Sequence, residues 1–145
     1  MPQTNLRLLS NHHRALRWII GEVNEMNINK MIESIKTHPD FHTIGMIASH
    51  LGIVRSFSRG GKAVIGLDVD FDHGKIEDIV REIKSRPGIV EILIEMNHGH
   101  LKVGDEIMAI VVAGNIRENV FPALIDAVNR MKTEATTKKE YMSVK

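Results

Sequence analysis

No cysteine occurs among the 145 residues, which excludes disulfides, thiolate nucleophiles and cysteine-based zinc or iron–sulfur sites. The chain has no thiol of its own on which to carry sulfur. Aromatic residues make up only 4% of the sequence and are not interleaved with cations, so stacking on single-stranded nucleic acid has little material to work with. No apolar run reaches the length of a membrane span, and the first residues lack an apolar core followed by a small-residue cleavage site. Neither insertion nor export is expected, and the cytoplasm is the simplest location. The Gly-Lys-Ser/Thr ending of a Walker A loop is missing, as is a Gly-x-Ser-x-Gly nucleophile elbow, so P-loop chemistry and serine hydrolysis have no sequence support.

What is present suits one domain. With 43% hydrophobic positions the chain can bury a core without covalent staples. The net charge of +1 hides a local bias, because residues 129–145 hold five cations (Arg130, Lys132, Lys138, Lys139, Lys145) against Glu134 and Glu140. Such a segment is either a solvated, poorly ordered C-terminus or a surface for an anionic partner. Residues 1–26 scatter Arg7, Arg14 and Arg17 among Leu, Ile and Trp in a weakly helical pattern. They read as a loosely packed extension, or one created by an upstream start with Met26 as the natural first residue; the alternative is a docking arm. Residues 27–141 then form the domain and residues 142–145 a tail.

From Asn29 the pattern becomes orderly. Asn29 is an N-cap for a short helix carrying Met31, Ile32 and Ile35, ended by His38 and Pro39. Residues 43–54 read as a buried strand that delivers Arg55 to a loop containing Arg59 and Lys62, of the mobile basic kind that closes on phosphate. Ile65, Leu67, Val69 and Phe71 alternate with Gly66, Asp68 and Asp70 as a half-buried strand, Asp72 caps the next helix, and Ile76, Ile79, Val80 and Ile83 form its apolar stripe. A strand over residues 89–96 follows Arg86-Pro87-Gly88, and Asn97 to His100 turn the chain into Leu101. Residues 103–106 make a Gly-Asp turn before the apolar strand 107–113. The last helix runs to Lys132, with Val120, Phe121, Leu124, Ile125, Val128 and Met131 on its core face. Its cap is Asn115, with Glu118 completing a capping box, or Asn119, which avoids an internal Pro122. The order α, β, β, α, β, β, α defines an α+β domain.

Asp68, Asp70 and Asp72 share a strand face, yet without the Gly and Glu of a calcium loop they read as solvated carboxylates. His98 and His100 have no third ligand nearby and read as a turn. Cations therefore carry the candidate chemistry. Arg117 and Lys132 stand at opposite ends of the last helix, about 22 Å apart at 1.5 Å per residue, so a small substrate meets both only if another segment or a second subunit contributes.

The segment from Leu101 to Glu140 resembles the large, catalytic subunit of molybdopterin synthase, the MoaE family. Gly52-Ile53-Val54-Arg55 is similar to that family's strand-end Gly-x-Val-Arg, and Leu101 with Val103-Gly104-Asp105-Glu106 to its Leu-x-Val-Gly-Asp/Glu turn. Arg117 falls on the Arg of its His-Arg pair, Phe121 and Ala123 lie in the following helix, Lys132-Thr133 match its Lys-Thr, and Lys139 falls on its second lysine. The likeness spans about residues 27–141. The chain departs from the pattern at Ile116, where the family has His, at Thr136 and Lys138, where it has Pro and Trp, and after Arg55, where its His-Asn pairing is missing.

The resemblance implies an α/β hammerhead with an added antiparallel β subdomain. It also implies a homodimer that binds two copies of a small ubiquitin-like sulfur-carrier subunit, MoaD-like, in a heterotetramer. The carrier's C-terminal thiocarboxylate would supply two sulfurs to cyclic pyranopterin monophosphate, giving the dithiolene of molybdopterin. Lys132 and Lys139 are the expected catalytic residues, and Arg55, Arg59, Arg117 and Lys138 the expected substrate-binding residues, with no metal and no cofactor. Two alternatives stay open: a ferredoxin-like regulatory module that binds a small metabolite, and an inactive paralogue.

Overall fold

The computed structural model describes residues 4–9, 17–22 and 26–143. Expectations for residues 1–3, 10–16, 23–25 and 144–145, including Arg14 and Lys145, lie outside the described residues. Three helices carry the apolar stripes: α1 (Ile28–Lys36), α2 (His73–Lys84) and α3 (Arg117–Arg130). Strands β1 (Thr4–Leu9), β2 (Arg17–Glu22), β3 (Met46–Ile53), β5 (Ile89–Met96) and β7 (Glu106–Gly114) form one sheet in the order β2-β1-β5-β7-β3. A second sheet, β6-β4-β8, contains β4 (Val64–Phe71), β6 (Gly99–Lys102) and β8 (Thr136–Met142). Every strand pairing among the described residues is antiparallel, so the molecule is α+β with two antiparallel sheets.

At β5 and β7 the larger sheet is buried on both faces. Met108, Ile110 and Val112 of β7 join Ile92, Ile94 and Met96 of β5 beneath Ile76, Ile79, Val80 and Ile83 of α2 and Val120, Ala123 and Ala127 of α3. The intervening Ala109, Val111 and Ala113 pack with Leu93 against Met31 and Ile35 of α1. A strand clothed on both sides needs apolar residues at every position, which is why β7 reads as a continuous run rather than an alternation.

Several local expectations are corrected. The backbone of residues 4–9 and 17–22 is an antiparallel strand pair, β1 against β2, with β1 also pairing β5; sheet pairing overrides the weak helical pattern. The basic C-terminal segment is strand β8, registered along β4 from Phe71↔Thr136 to Val64↔Met142, rather than a loose tail. The first helix is capped by Asn27, whose side chain accepts from the Lys30 backbone N–H at 3.0 Å, and not by Asn29. The strand expected from residue 43 begins at Met46, after a short 3-10 turn at Phe41–Thr43.

Ile65 is 60% exposed because β4 bulges between Val64 and Gly66, which takes it out of phase with Leu67 and Val69. α3 is capped by Ile116 rather than Asn115 or Asn119, runs through Pro122 and stops at Arg130. Its buried stripe is Val120, Ala123 and Ala127, compact residues that let the helix lie close to the sheet, and Phe121 and Ile125 are exposed.

Candidate functional site

One end of β3 and the turn before β7 are built together. Gly104, at φ +93°, takes a left-handed backbone conformation open to glycine, and its N–H donates to the Val54 carbonyl at 2.8 Å. The Val54 N–H in turn donates to the Asp105 carbonyl at 2.9 Å. The Asp105 carboxylate closes the turn by accepting from the Lys102 N–H at 2.8 Å. This double tie fixes Val54, which is buried, and so sets where Arg55 leaves the strand. The basic loop is a short hairpin: Val64 donates to Ser56 and Ser58 to Lys62, while the Arg55 guanidinium lies 5.0 Å from the Phe57 ring centre.

Lys132 has a different mount. Met131–Ala135 form a single π-helical turn after α3, a widened turn of the kind that recurs at functional sites. Buried Met131 and Ala135 pin its two ends, the Ala135 carbonyl accepts from the Asp72 N–H at 2.8 Å, and Arg130 pairs with Glu134 at 2.7 Å. Lys132 projects between these anchors. The chain then enters β8, where the two-residue period turns Thr136, Lys138 and Glu140 to one face and Lys139 and Tyr141 to the other.

These mounts surround a cavity of about 650 Å³. Leu67, Met96, Ile107 and Met108 supply apolar wall, and Arg55, Arg59, Lys132 and Lys138 converge on it with His50 and Glu140. Partial enclosure lowers the Lys138 ammonium below its ordinary range, and Lys132, Arg55 and Arg59 push it the same way against the opposing pull of Glu140. Like charges held this close favour an anion that neutralises them. His50, on β3, is also held below the usual imidazole range, first by burial and then by Lys132. Its Nε2 and the Thr136 hydroxyl are buried in the cavity wall with no hydrogen-bond partner among the described residues.

Two expected site residues lie elsewhere. Lys139 is on the far face of β8 with its ammonium 5.4 Å from the Tyr141 ring centre. Arg117 is 78% exposed at the start of α3 and pairs with Glu118 at 3.2 Å. The three aspartates serve three purposes. Asp68 accepts from the Tyr141 hydroxyl and pairs with His100 Nδ1 at 2.8 Å, and those two hydrogen bonds lower its pKa. Asp70 accepts from the Phe71 N–H, and Asp72 caps α2 through the Lys75 N–H. His98 meets the Phe71 ring edge-on.

The sequence profile described as MoaE protein matches residues 22–134, most of this chain. The chain belongs to the MoaE family. An uncharacterized protein, MJ0717, of Methanocaldococcus jannaschii is 31% identical over 118 residues, covering 79% of this chain and 97% of the relative. Among solved structures, molybdopterin cofactor biosynthesis protein E from Burkholderia multivorans ATCC 17616 superposes with a TM-score of 0.65 at 26% identity, covering 82% of this chain and 83% of that one. The same fold recurs in the protein–protein complex of subunits 1 and 2 of molybdopterin-converting factor from Helicobacter pylori 26695. There the TM-score is 0.62 at 17% identity, over 83% of this chain and 82% of that one.

Within this MoaE framework the cavity contains residues the sequence reading passed over, namely His50, Thr136 and Glu140. Period-two counting back from Gly52 places His50 on the same strand face, so it was findable once β3 was aligned with the cavity. Thr136 and Glu140 required knowing that β8 is a strand. No helix among the described residues is long and apolar enough to cross a membrane.

Proposed function

We propose that this chain is the catalytic subunit of a molybdopterin synthase. It transfers sulfur from the C-terminal thiocarboxylate of a small MoaD-like carrier to cyclic pyranopterin monophosphate. The observation that carries the reading is the convergence of Arg55, Arg59, Lys132 and Lys138 on one cavity in a member of the MoaE family. A phosphorylated substrate and a carrier ending in a thiocarboxylate are both anions, and both need cations beside an apolar wall that admits a ring. Arg55 and Arg59 hold the phosphate, since guanidinium forks make paired hydrogen bonds to phosphate oxygens. Lys132, rigidly mounted, stands beside the carrier's terminal carbonyl and stabilises the oxyanion that forms there. Lys138 takes the second cationic position on the cavity face of β8.

The working unit is a homodimer. Arg117 lies outside its own subunit's cavity, and β3 is an edge strand that exposes Leu51 and Ile53. An exposed apolar edge suits pairing with a second copy, which brings Arg117 to the partner's cavity and makes the H. pylori two-subunit complex the template for a heterotetramer. The test is conversion in vitro of the cyclic precursor with a cognate thiocarboxylated carrier. Dithiolene product supports the reading. Tight binding of both reactants by folded protein without product overturns it in favour of an inactive paralogue, the outcome that Ile116 in place of the family's His favours.

A further inference from the structure

We propose that His50 is the proton acceptor that completes sulfur transfer in this chain, receiving a proton at Nε2 from the water whose oxygen replaces sulfur on the carrier's terminal carbon. The inference rests on the function proposed above and assigns it a residue outside the expected cation set. When the thiocarboxylate sulfur displaces an oxygen group from a substrate carbon, the C–O bond breaks as the C–S bond forms, the oxygen leaves with the bonding pair, and the two molecules are joined through a C–S–C link. Separating them requires water. Its oxygen bonds to the acyl carbon, one proton passes to the imidazole, and the electron pair of the acyl C–S bond leaves with sulfur as a thiolate on the substrate. The carrier departs as a carboxylate, its remaining proton and that of the imidazolium go to solvent, and no oxidant or reductant is consumed.

Three observations place this step at His50. The imidazole lines the same cavity as Lys132, where the acyl carbonyl is held. Its Nε2 is buried and has no hydrogen-bond partner among the described residues, an arrangement that native structures rarely leave without a purpose. In the Nδ1–H form that nitrogen offers a lone pair and nothing else. Finally, Gly52 lies directly beside this nitrogen: a Cβ there would lie 3.5 Å from Nε2, in ordinary contact, adding bulk against the nitrogen without displacing it.

The electrostatics are consistent with a base. Burial and Lys132 keep the ring neutral at pH 7, so it can accept. The charged groups sharing the cavity are Lys132 from the π-helical turn, Arg55 and Arg59 from the hairpin, and Lys138 and Glu140 from β8. An anion bound beside Lys132 offsets its charge and raises the imidazole pKa from this lowered position, toward the range where a base works best. The chain thereby has an acid/base imidazole in the cavity although Ile116 occupies the place of the family's own His.

The experiment is a pH series of single-turnover conversion with thiocarboxylated carrier and precursor. Wild-type rate is expected to fall on the acid side as His50 protonates. His50→Gln should lower the rate roughly hundredfold, the usual scale for losing a positioned base, remove that acid limb and leave precursor affinity within about twofold, since the amide keeps the shape but cannot titrate. Gly52→Ala, which leaves the imidazole in place, should also slow turnover. Wild-type conversion with His50→Gln retaining rate and acid limb overturns the role of His50 alone. Absence of conversion by wild type overturns the parent function as well. A readout free of turnover is the imidazole proton resonance of His50 titrated with and without inorganic phosphate: a midpoint below the ordinary range that rises on phosphate addition supports the inference, and an ordinary midpoint unmoved by phosphate contradicts it.

Discussion

A single position separates Lys138 from Lys139, and the strand period puts them on opposite faces. Motif spacing counted from Lys132 favours Lys139, because seven residues separate the two lysines of the family pattern. The fold gives the cavity Lys138 instead, while Lys139 stacks on Tyr141 beside Asp68. The two readings divide cleanly by mutation. Lys138→Ala is expected to weaken precursor binding by roughly tenfold or more, the scale of one lost charge-assisted hydrogen bond, whereas Lys139→Ala should change it by less than about threefold; isothermal titration with each variant measures both. The reverse ranking would place Lys139 in the site.

The sequence could not supply this distinction, since a π-helical turn adds a residue per turn and shifts the phase of everything after it. Arg55 was legible for the opposite reason. It follows an apolar strand directly and is tied by a Gly-Asp turn whose chemistry is local. His50 escaped notice because one histidine on a strand carries no motif; only the cavity gives it meaning.

At the scale of elements, α2 and α3 are clamped at one edge by Glu82, which accepts from Arg86 at 2.7 and 2.8 Å and from Arg130 at 3.2 Å. Arg86 also bonds Asp126, and Arg130 reaches Glu134 in the turn that carries Lys132. The hydrogen bonds from Arg86, with its charge and that of Arg130, hold the Glu82 carboxyl below the ordinary glutamate range. A carboxylate whose pKa is lowered on folding contributes stability above its unfolded pKa and loses it as pH falls through the folded value. Wild-type urea midpoints should therefore decline on the acid side of the ordinary glutamate range, and Glu82→Gln should flatten that part of the decline while lowering the midpoint at pH 7. Equal slopes for the two proteins would show that the clamp is not linked to folding.

The packing under α2 makes a firmer demand. Ile79 is 1% exposed, and Ile79→Ala should cost about 2–5 kcal/mol in denaturant unfolding; a loss under about 1 kcal/mol would mean that the two-sided core is looser than described. The period of α2 was plain in the sequence because one face is wet and one dry. β1, β2 and β8 were not legible. β1 joins the sheet through β5 and β8 through β4, both distant in sequence, and the charges of β8 are those of a strand at a sheet edge rather than of a solvated tail.

The whole molecule brings four of the expected cations to one cavity and leaves two, Arg117 and Lys139, outside it. The homodimer proposed above would resolve this for Arg117. If each cavity borrows Arg117 across a two-fold axis, mixing Arg117→Ala subunits with Lys132→Ala subunits should restore up to about half of wild-type activity in heterodimers, because one site of each mixed pair is intact; no rescue in heterodimers confirmed by native mass spectrometry, or full activity from a monomer, would show that sites are not shared. The central claim is that sulfur leaves a carrier's C-terminus in this cavity with Lys132 beside the reacting carbonyl. Intact-mass spectrometry of the carrier during incubation with precursor tests it most directly. The expected result is conversion of the terminal thiocarboxylate to carboxylate, two carriers for each dithiolene formed, with Lys132→Ala still binding the carrier but slowing the conversion by about a hundredfold or more. A thiocarboxylate that stays intact on wild-type protein loaded with both carrier and precursor would contradict the account.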